Sequence, residues 1–224
     1  MTKRVERPGV RAGYDKWSAS YDASTSGLVA LDRRHTMEAL DPSPDEWILD
    51  AGCGTGVHLR RMQDAGAKAV GIDFSRGMLE VAQRRLPRPA LVEADLNDEL
   101  PVRRRSFDAF VSALVSEHLT NLRTFFAEAF AVLRPGGRLI FSAFHPDPAR
   151  AGVEANFSQD GTEYRLGAEP YTADEYLERI AGAGFTAIRS RDFVVDRYLV
   201  DEIPAVAKHL GVPLLMLVQA ARPE

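Results

Sequence analysis

The nine residues Ile48-Leu49-Asp50-Ala51-Gly52-Cys53-Gly54-Thr55-Gly56 constrain this chain more than any other stretch. An apolar strand closes on an acid, turns through three alternating glycines and gives way to a helical pattern. Glycine in such a turn removes the Cβ atoms that would hold a ligand off the backbone, and it tolerates the φ values a sharp bend needs. The helix that follows offers unpaired N–H groups and the positive end of its dipole. A second apolar strand, Val70-Gly71-Ile72-Asp73, also ends in a carboxylate. It falls about 20 residues after the turn, where two O–H···O⁻ bonds can hold a ribose diol. The pair of signals predicts a nucleoside cofactor.

Strand and helix patterns alternate along the remainder, as in a parallel sheet covered on both faces. Strands are predicted at 47–50, 67–72, 90–94, 107–113, 138–143, 185–195 and 214–220. Helices are predicted at 28–40, from 57 to 65, after the N-capping Ser75, from Leu122 to Leu133, from the Thr172/Glu175 capping box to 183, and at 199–210. Pro135-Gly136-Gly137 is expected to end the helix before it. Ahead of the sheet, Tyr14, Trp17 and Tyr21 are spaced to share one helical face. The stretch 145–171 shows little periodicity, and a segment this long without elements is more often functional than a plain connection. The expected organisation is a single domain over 1–224. It has an N-terminal helical cap (1–44), a cofactor-binding core (45–144), a lid segment (145–171) and the rest of the sheet (172–224).

A chain of 224 residues suits one domain with a full core. The absence of any run of 18 apolar residues argues against a membrane span, and residues 1–11 lack the apolar stretch of a secretory signal. The expected location is the cytoplasm. The lone cysteine, Cys53, forms no internal disulfide, and no zinc-type spacing exists. A formal net charge of −4 gives no general drive toward nucleic acid. The basic runs Arg33-Arg34, Arg60-Arg61, Arg84-Arg85 and Arg103-Arg104-Arg105 read as solvated faces.

The spacing also discriminates between cofactors. Val57 stands where the dinucleotide fingerprint needs its third glycine, which counts against a pyrophosphate. Asp50, directly before the turn, suits an amino-acid ammonium group instead. Asp95 closes the third strand, where it can accept from an adenine amine. Carboxylates at three adjacent strand ends suit a ligand with an amine, a diol and an adenine, and repel a polyphosphate.

The stretches Leu49–Gly56, Gly71-Ile72-Asp73-Phe74-Ser75, Ala94-Asp95-Leu96, Phe107-Asp108, Ser116-Glu117-His118-Leu119 and Leu133-Arg134-Pro135-Gly136-Gly137 together resemble the class I S-adenosylmethionine (AdoMet)-dependent methyltransferases. The resemblance is to the small-molecule group related to quinone biosynthesis, and it covers roughly residues 45–145. It implies a Rossmann-like α/β fold: a seven-stranded, mostly parallel sheet with helices on both faces, an N-terminal helical cap and a lid insertion after strand five. It implies AdoMet as cofactor, S-adenosyl-L-homocysteine (AdoHcy) as product and no metal. By the same resemblance Gly52, Cys53, Gly54 and Gly56 carry the methionine part, with Asp50 orienting that loop. Asp73 holds the ribose, Phe74 and Met78 line the adenine slot, and Asp95 and Leu96 read the adenine edge. Ala113 presents its carbonyl to the amino group, and Tyr14 and Tyr21 close over the cofactor. Read from the residues alone, Phe74 and Met78 equally suit a plain core, and the two tyrosines plain packing.

Methyl transfer from a sulfonium is an in-line displacement, so positioning and desolvation supply much of the acceleration. A base is needed only where the acceptor loses a proton. His118 and His145, each following a central strand, are the candidate bases. Glu117 is expected to orient His118 or to bind a substrate cation. His35, His58 and His209 read as surface or packing residues. The favoured reaction is O-methylation of a phenolic, quinone-like or carboxylic metabolite. N- or C-methylation, or an AdoMet-binding protein without transfer activity, remain the alternatives. A nicotinamide oxidoreductase is opposed by Val57 and Asp50. The partners expected are a small-molecule acceptor, no nucleic acid and no membrane, in a monomer or homodimer.

Overall fold

The computed structural model describes residues 4–23, 26–150 and 152–224. In chain order the elements are β1 (Arg4–Glu6), α1 (Val10–Trp17), α2 (Gly27–Leu40), β2 (Trp47–Ala51), α3 (Val57–Asp64), β3 (Lys68–Asp73), α4 (Arg76–Arg85) and β4 (Leu91–Glu93). There follow β5 (Phe107–Ala113), α5 (Leu122–Val132), β6 (Leu133–Phe144), α6 (Pro146–Arg150), β7 (Asn156–Gln159) and β8 (Thr162–Arg165). The chain ends with α7 (Ala173–Gly182), β9 (Thr186–Val194), α8 (Arg197–Glu202) and β10 (Pro213–Ala221).

Neighbouring residues on one central strand point into different helical layers, which explains why the strands read as continuous apolar runs. Ile48, Ala109 and Ile140 pack with Met37 and Leu40 of α2 and with Leu59 and Met62 of α3. Leu49, Phe110, Leu139 and Phe141 pack with Phe125, Phe126 and Ala129 of α5 and with Ile180 of α7. The resulting seven-stranded sheet has the order β4-β3-β2-β5-β6-β10-β9. Strands β2 to β6 run parallel, and β10 runs antiparallel to both β6 and β9. The order reverses between β2 and β5, and the glycine turn leaves β2 at that point, where open α/β sheets bind ligands. The capping box forms as expected: Glu175 N–H donates to Thr172 Oγ1 (3.2 Å) and Thr172 N–H to the Glu175 carboxylate (2.8 Å).

Three departures from the sequence reading have local causes. The stretch 145–171 is not elementless: β7 and β8 form a hairpin, and β1 joins β8 in parallel to make a separate three-stranded sheet. Its turn is Asp160-Gly161 with φ of 51° and 76°, the doubly positive conformation that two-residue hairpins favour. The helix expected at 199–210 breaks at Pro204, whose missing N–H divides it into α8 and a 3₁₀ turn, Pro204–His209. Strand β6 already begins at Leu133, paired with Phe107, and passes Pro135-Gly136-Gly137 through an irregular register.

Candidate active site

The glycine turn hangs from the end of β3. Gly52 N–H and Cys53 N–H both donate to the Ile72 carbonyl, at 2.7 and 2.9 Å. Asp73 then fixes the next bend, accepting from Gly54 N–H through Oδ2 and from Ser75 N–H through Oδ1, both at 2.8 Å. Gly52 and Gly54 have φ of 85° and 52°, values that side chains rarely adopt. A Cβ at Gly52 would lie 2.2 Å from Val115, whereas one at Gly54 would meet nothing within 4 Å. Gly54 therefore presents bare backbone to open space.

That space is a narrow slot of about 80 Å³. It brings together Tyr14, Tyr21, Gly52, Gly54, Asp73, Phe74, Met78, Asp95, Leu96, Ala113 and His118 from the expected set. Asn97, Leu114, Val115 and Leu119 also line it and were not anticipated. Asn97 braces Asp95, donating to Oδ1 from both N–H and Nδ2 at 2.9 Å. A second, larger chamber of about 660 Å³ adjoins the slot and shares Tyr14, Tyr21 and Leu114 with it. Leu114 is held at φ 54°, a left-handed conformation costly for a non-glycine residue, at the wall between the two spaces. Glu117 lines the chamber and not the slot.

Four expected residues line neither space. Asp50 lies beneath the turn at 1% exposure, and neither carboxylate oxygen has a hydrogen-bond partner. Cys53 is buried behind the turn. Gly56 serves packing, since a Cβ there would come within 3.0 Å of Ala82 on α4. His145 is buried at the end of β6, where Nδ1 accepts from Asp147 N–H (3.2 Å) and Nε2 lies 3.6 Å from Asp192 on β9.

Burial sets the electrostatics. Desolvation pushes Asp50 up to about 7 and Asp73 to about 6, the latter opposed by its backbone N–H donors. Glu117 is raised to about 7 by burial. The same cause lowers His118 to about 4, so its imidazole is neutral at pH 7 and only weakly basic. His118 Nε2 shares a 2.9 Å hydrogen bond with Tyr14 Oη. Among the described residues, no lysine or arginine lines either space.

The expected aromatic face forms, but across a break. Helix α1 stops at Trp17, and Tyr21 stands on a separate 3₁₀ turn (Tyr21–Ala23). Ring centroids are nevertheless 5.9 Å apart for Tyr14–Trp17, 4.9 Å for Trp17–Tyr21 and 6.2 Å for Tyr14–Tyr21. Two aspartates anchor this cap over the slot. Asp15 Oδ1 accepts from Ser75 Oγ (2.7 Å) and Gly77 N–H (2.9 Å) at the start of α4. Asp22 accepts from Arg33 (2.7 Å), Arg85 (2.6 Å) and Thr55 Oγ1 (3.1 Å). Arg85, which also donates to the Thr55 carbonyl and Oγ1, is thus a clamp between cap and turn, and Arg33 ties α2 to the same carboxylate, so neither is a plain solvated charge. His58 takes the packing role of the two expected for it: it is buried with Nε2 2.8 Å from Asp32, whose other oxygen accepts from Thr36 and Ser142.

A cationic nucleoside fits this arrangement. The orphaned carboxylate of Asp50, the open face of Gly54 and the acids Asp73 and Asp95 at the two neighbouring strand ends are complementary to positive charge and hydroxyl donors. The comparisons agree. Residues 49–141 match a family model described as "Methyltransferase domain". A demethylmenaquinone methyltransferase of Clavibacter sepedonicus is 37% identical over 151 residues, 64% of this chain and 61% of that protein. One from Corynebacterium kroppenstedtii is 34% identical over 165 residues, 71% of this chain and 68% of that protein. The S-adenosylmethionine-dependent methyltransferase from Mesorhizobium loti superposes with a TM-score of 0.73 at 23% identity, over 88% of this chain and 99% of that one. The chain belongs to the class I S-adenosylmethionine-dependent methyltransferases, in the group related to quinone biosynthesis. It spans about three fifths of the length of the first of these relatives. Among the described residues, no helix is long and apolar enough to cross a membrane.

Proposed function

We propose that this protein transfers a methyl group from AdoMet to a small organic acceptor held in the larger chamber. The observation that carries the reading is the slot: Asp73 and Asp95 at neighbouring strand ends, a bare glycine backbone and, among the described residues, no lining lysine or arginine, opening toward a second space across Tyr14, Tyr21 and Leu114. In this reading Asp73 holds the ribose hydroxyls, and Asp95, braced by Asn97, reads the adenine with Leu96. Phe74 and Met78 flank the ring. Gly52, Gly54 and the Ala113 carbonyl carry the methionine part, and buried Asp50 balances its ammonium. The cofactor supplies an electrophilic methyl group on a sulfonium.

The protein's own residues position and desolvate. His118, weakly basic and bonded to Tyr14, holds the cap aromatics rather than removing a proton. His145 is left out of the chemistry because it lines neither space. Of the acceptors expected for O-methylation, the phenolic and quinone-like classes suit the chamber, whereas a carboxylic acceptor meets three acids with only His209 as a basic side chain among the described residues. Calorimetry with AdoHcy and with NAD tests the reading. Binding of AdoHcy in the micromolar range, no heat with NAD, and no change on chelator treatment are expected. Preferential binding of NAD would overturn it.

A further inference from the structure

We propose that the larger chamber is an amine site, in which an acceptor arrives as an ammonium cation, seats its nitrogen on Glu117 and gives that carboxylate a proton. The proton moves as R–NH₃⁺ + Glu117–COO⁻ → R–NH₂ + Glu117–COOH, which leaves the nitrogen lone pair free. The inference rests on the methyltransferase reading and names its acceptor class.

Position comes first. Glu117 lies in the 3₁₀ turn Ser116–His118 that follows β5, at the carboxyl edge of the sheet. It faces the chamber beside Tyr14, Tyr21 and Leu114, the residues that also border the cofactor slot. Satisfaction comes second. Glu117 Oε2 is buried with no hydrogen-bond partner. A buried carboxylate left unpaired is costly, and a cation placed against it offsets that cost. Burial already raises Glu117 to about 7, so a neighbouring ammonium has much to gain by restoring the ionised form.

The charge inventory settles the sign. The acids lining the chamber are Glu117, Asp147 and Glu154, and among the described residues His209 is the sole basic side chain there. Glu154 is engaged by Arg7 at 2.8 Å, and Asp147 lies 3.9 Å from His145. An anionic acceptor would face these three acids with only His209 to set against them among the described residues. A neutral phenol can hydrogen-bond Glu117 but gains no ion pair. An ammonium gains that pair in a chamber whose lining also includes the aromatic side chains Tyr14, Trp17 and Tyr21. The acceptors of the named relatives do not decide the matter. Most of the chamber lining lies outside residues 49–141, the part that matches the family model.

The test is binding to protein saturated with AdoHcy. Calorimetry would compare 2-phenylethylamine, 2-phenylethanol and phenylacetate, then octylamine, octanol and octanoate. Each amine is expected to bind at least tenfold more tightly than its alcohol and its acid. Glu117→Gln should bring the amine within threefold of the alcohol, Glu117→Asp should retain part of the preference, and unchanged melting curves would show both variants folded. No preference for amines in either set, or a preference that survives Glu117→Gln, overturns the proposal. AdoHcy binding is measured first, and its loss would sink the methyltransferase reading instead. The amine comparison repeated without AdoHcy then judges Glu117 on its own.

Discussion

Asp73 shapes the glycine turn through two backbone N–H groups and also borders the slot, so its removal acts on a loop and a ligand together. Replacing Asp73 by alanine removes charge-assisted bonds of about 1–3 kcal/mol, and AdoHcy affinity should fall roughly 5- to 150-fold by calorimetry. Affinity within twofold of the wild type would show that the carboxylate has no part in binding. Asp73 and Asp95 were legible because a strand that ends in an acid places it at the carboxyl edge, whatever the packing above. His145 shows the limit of that logic. It also ends a strand, but its ring turns toward Asp192 on β9, and which way a side chain leaves a strand end depends on the neighbouring strands. Asn97 was missed because a two-residue return to Asp95 looks like any polar loop. Asp15 was overlooked since nothing in its own helix reveals that it meets Ser75 across sixty residues of sequence.

At the scale of elements, the junction of α1 with α4 governs how firmly the cap covers the slot. Gly77 makes that junction possible: a Cβ there would lie 2.9 Å from the Asp15 carbonyl oxygen and 2.8 Å from Ser18 Oγ. Gly77→Ala should push the cap outward without touching a slot-lining residue. Limited proteolysis is expected to cut near residues 10–23 faster, and AdoHcy should dissociate several-fold faster in stopped-flow measurements. Unaltered cleavage and dissociation would mean that the cap does not hold the ligand. The sheet and its flanking helices were readable because apolar periodicity reports a face buried against any partner. The hairpin was not read, although Asp160-Gly161 is a strong turn signal, because its strands span only four residues each. The pairing of β1 with β8 joins residues 4–6 to 162–164, a contact that no local pattern encodes.

For the molecule as a whole, the acid beneath the turn sets a pH dependence with a definite sign. Asp50 has a folded-state value near 7, above its unfolded value, so between about pH 4 and 7 the folded state binds the extra proton. The ligand-free protein should therefore lose stability as pH rises through that window and level off above it. Asp50→Asn lacks this loss, so its advantage in urea denaturation should grow by a few kcal/mol, on the order of 2–4, from pH 4 to pH 8. An advantage independent of pH would show that Asp50 is ionised throughout. The small sheet has a mechanical consequence of its own. Its first strand leads directly into the cap, and its hairpin carries Asn156 and Phe157 at the far wall of the chamber and beside Trp17. Hydrogen bonds thus tie the roof of one compartment to the flank of the other, so a roof that swings aside to exchange spent nucleoside is expected to loosen the grip on whatever sits next door.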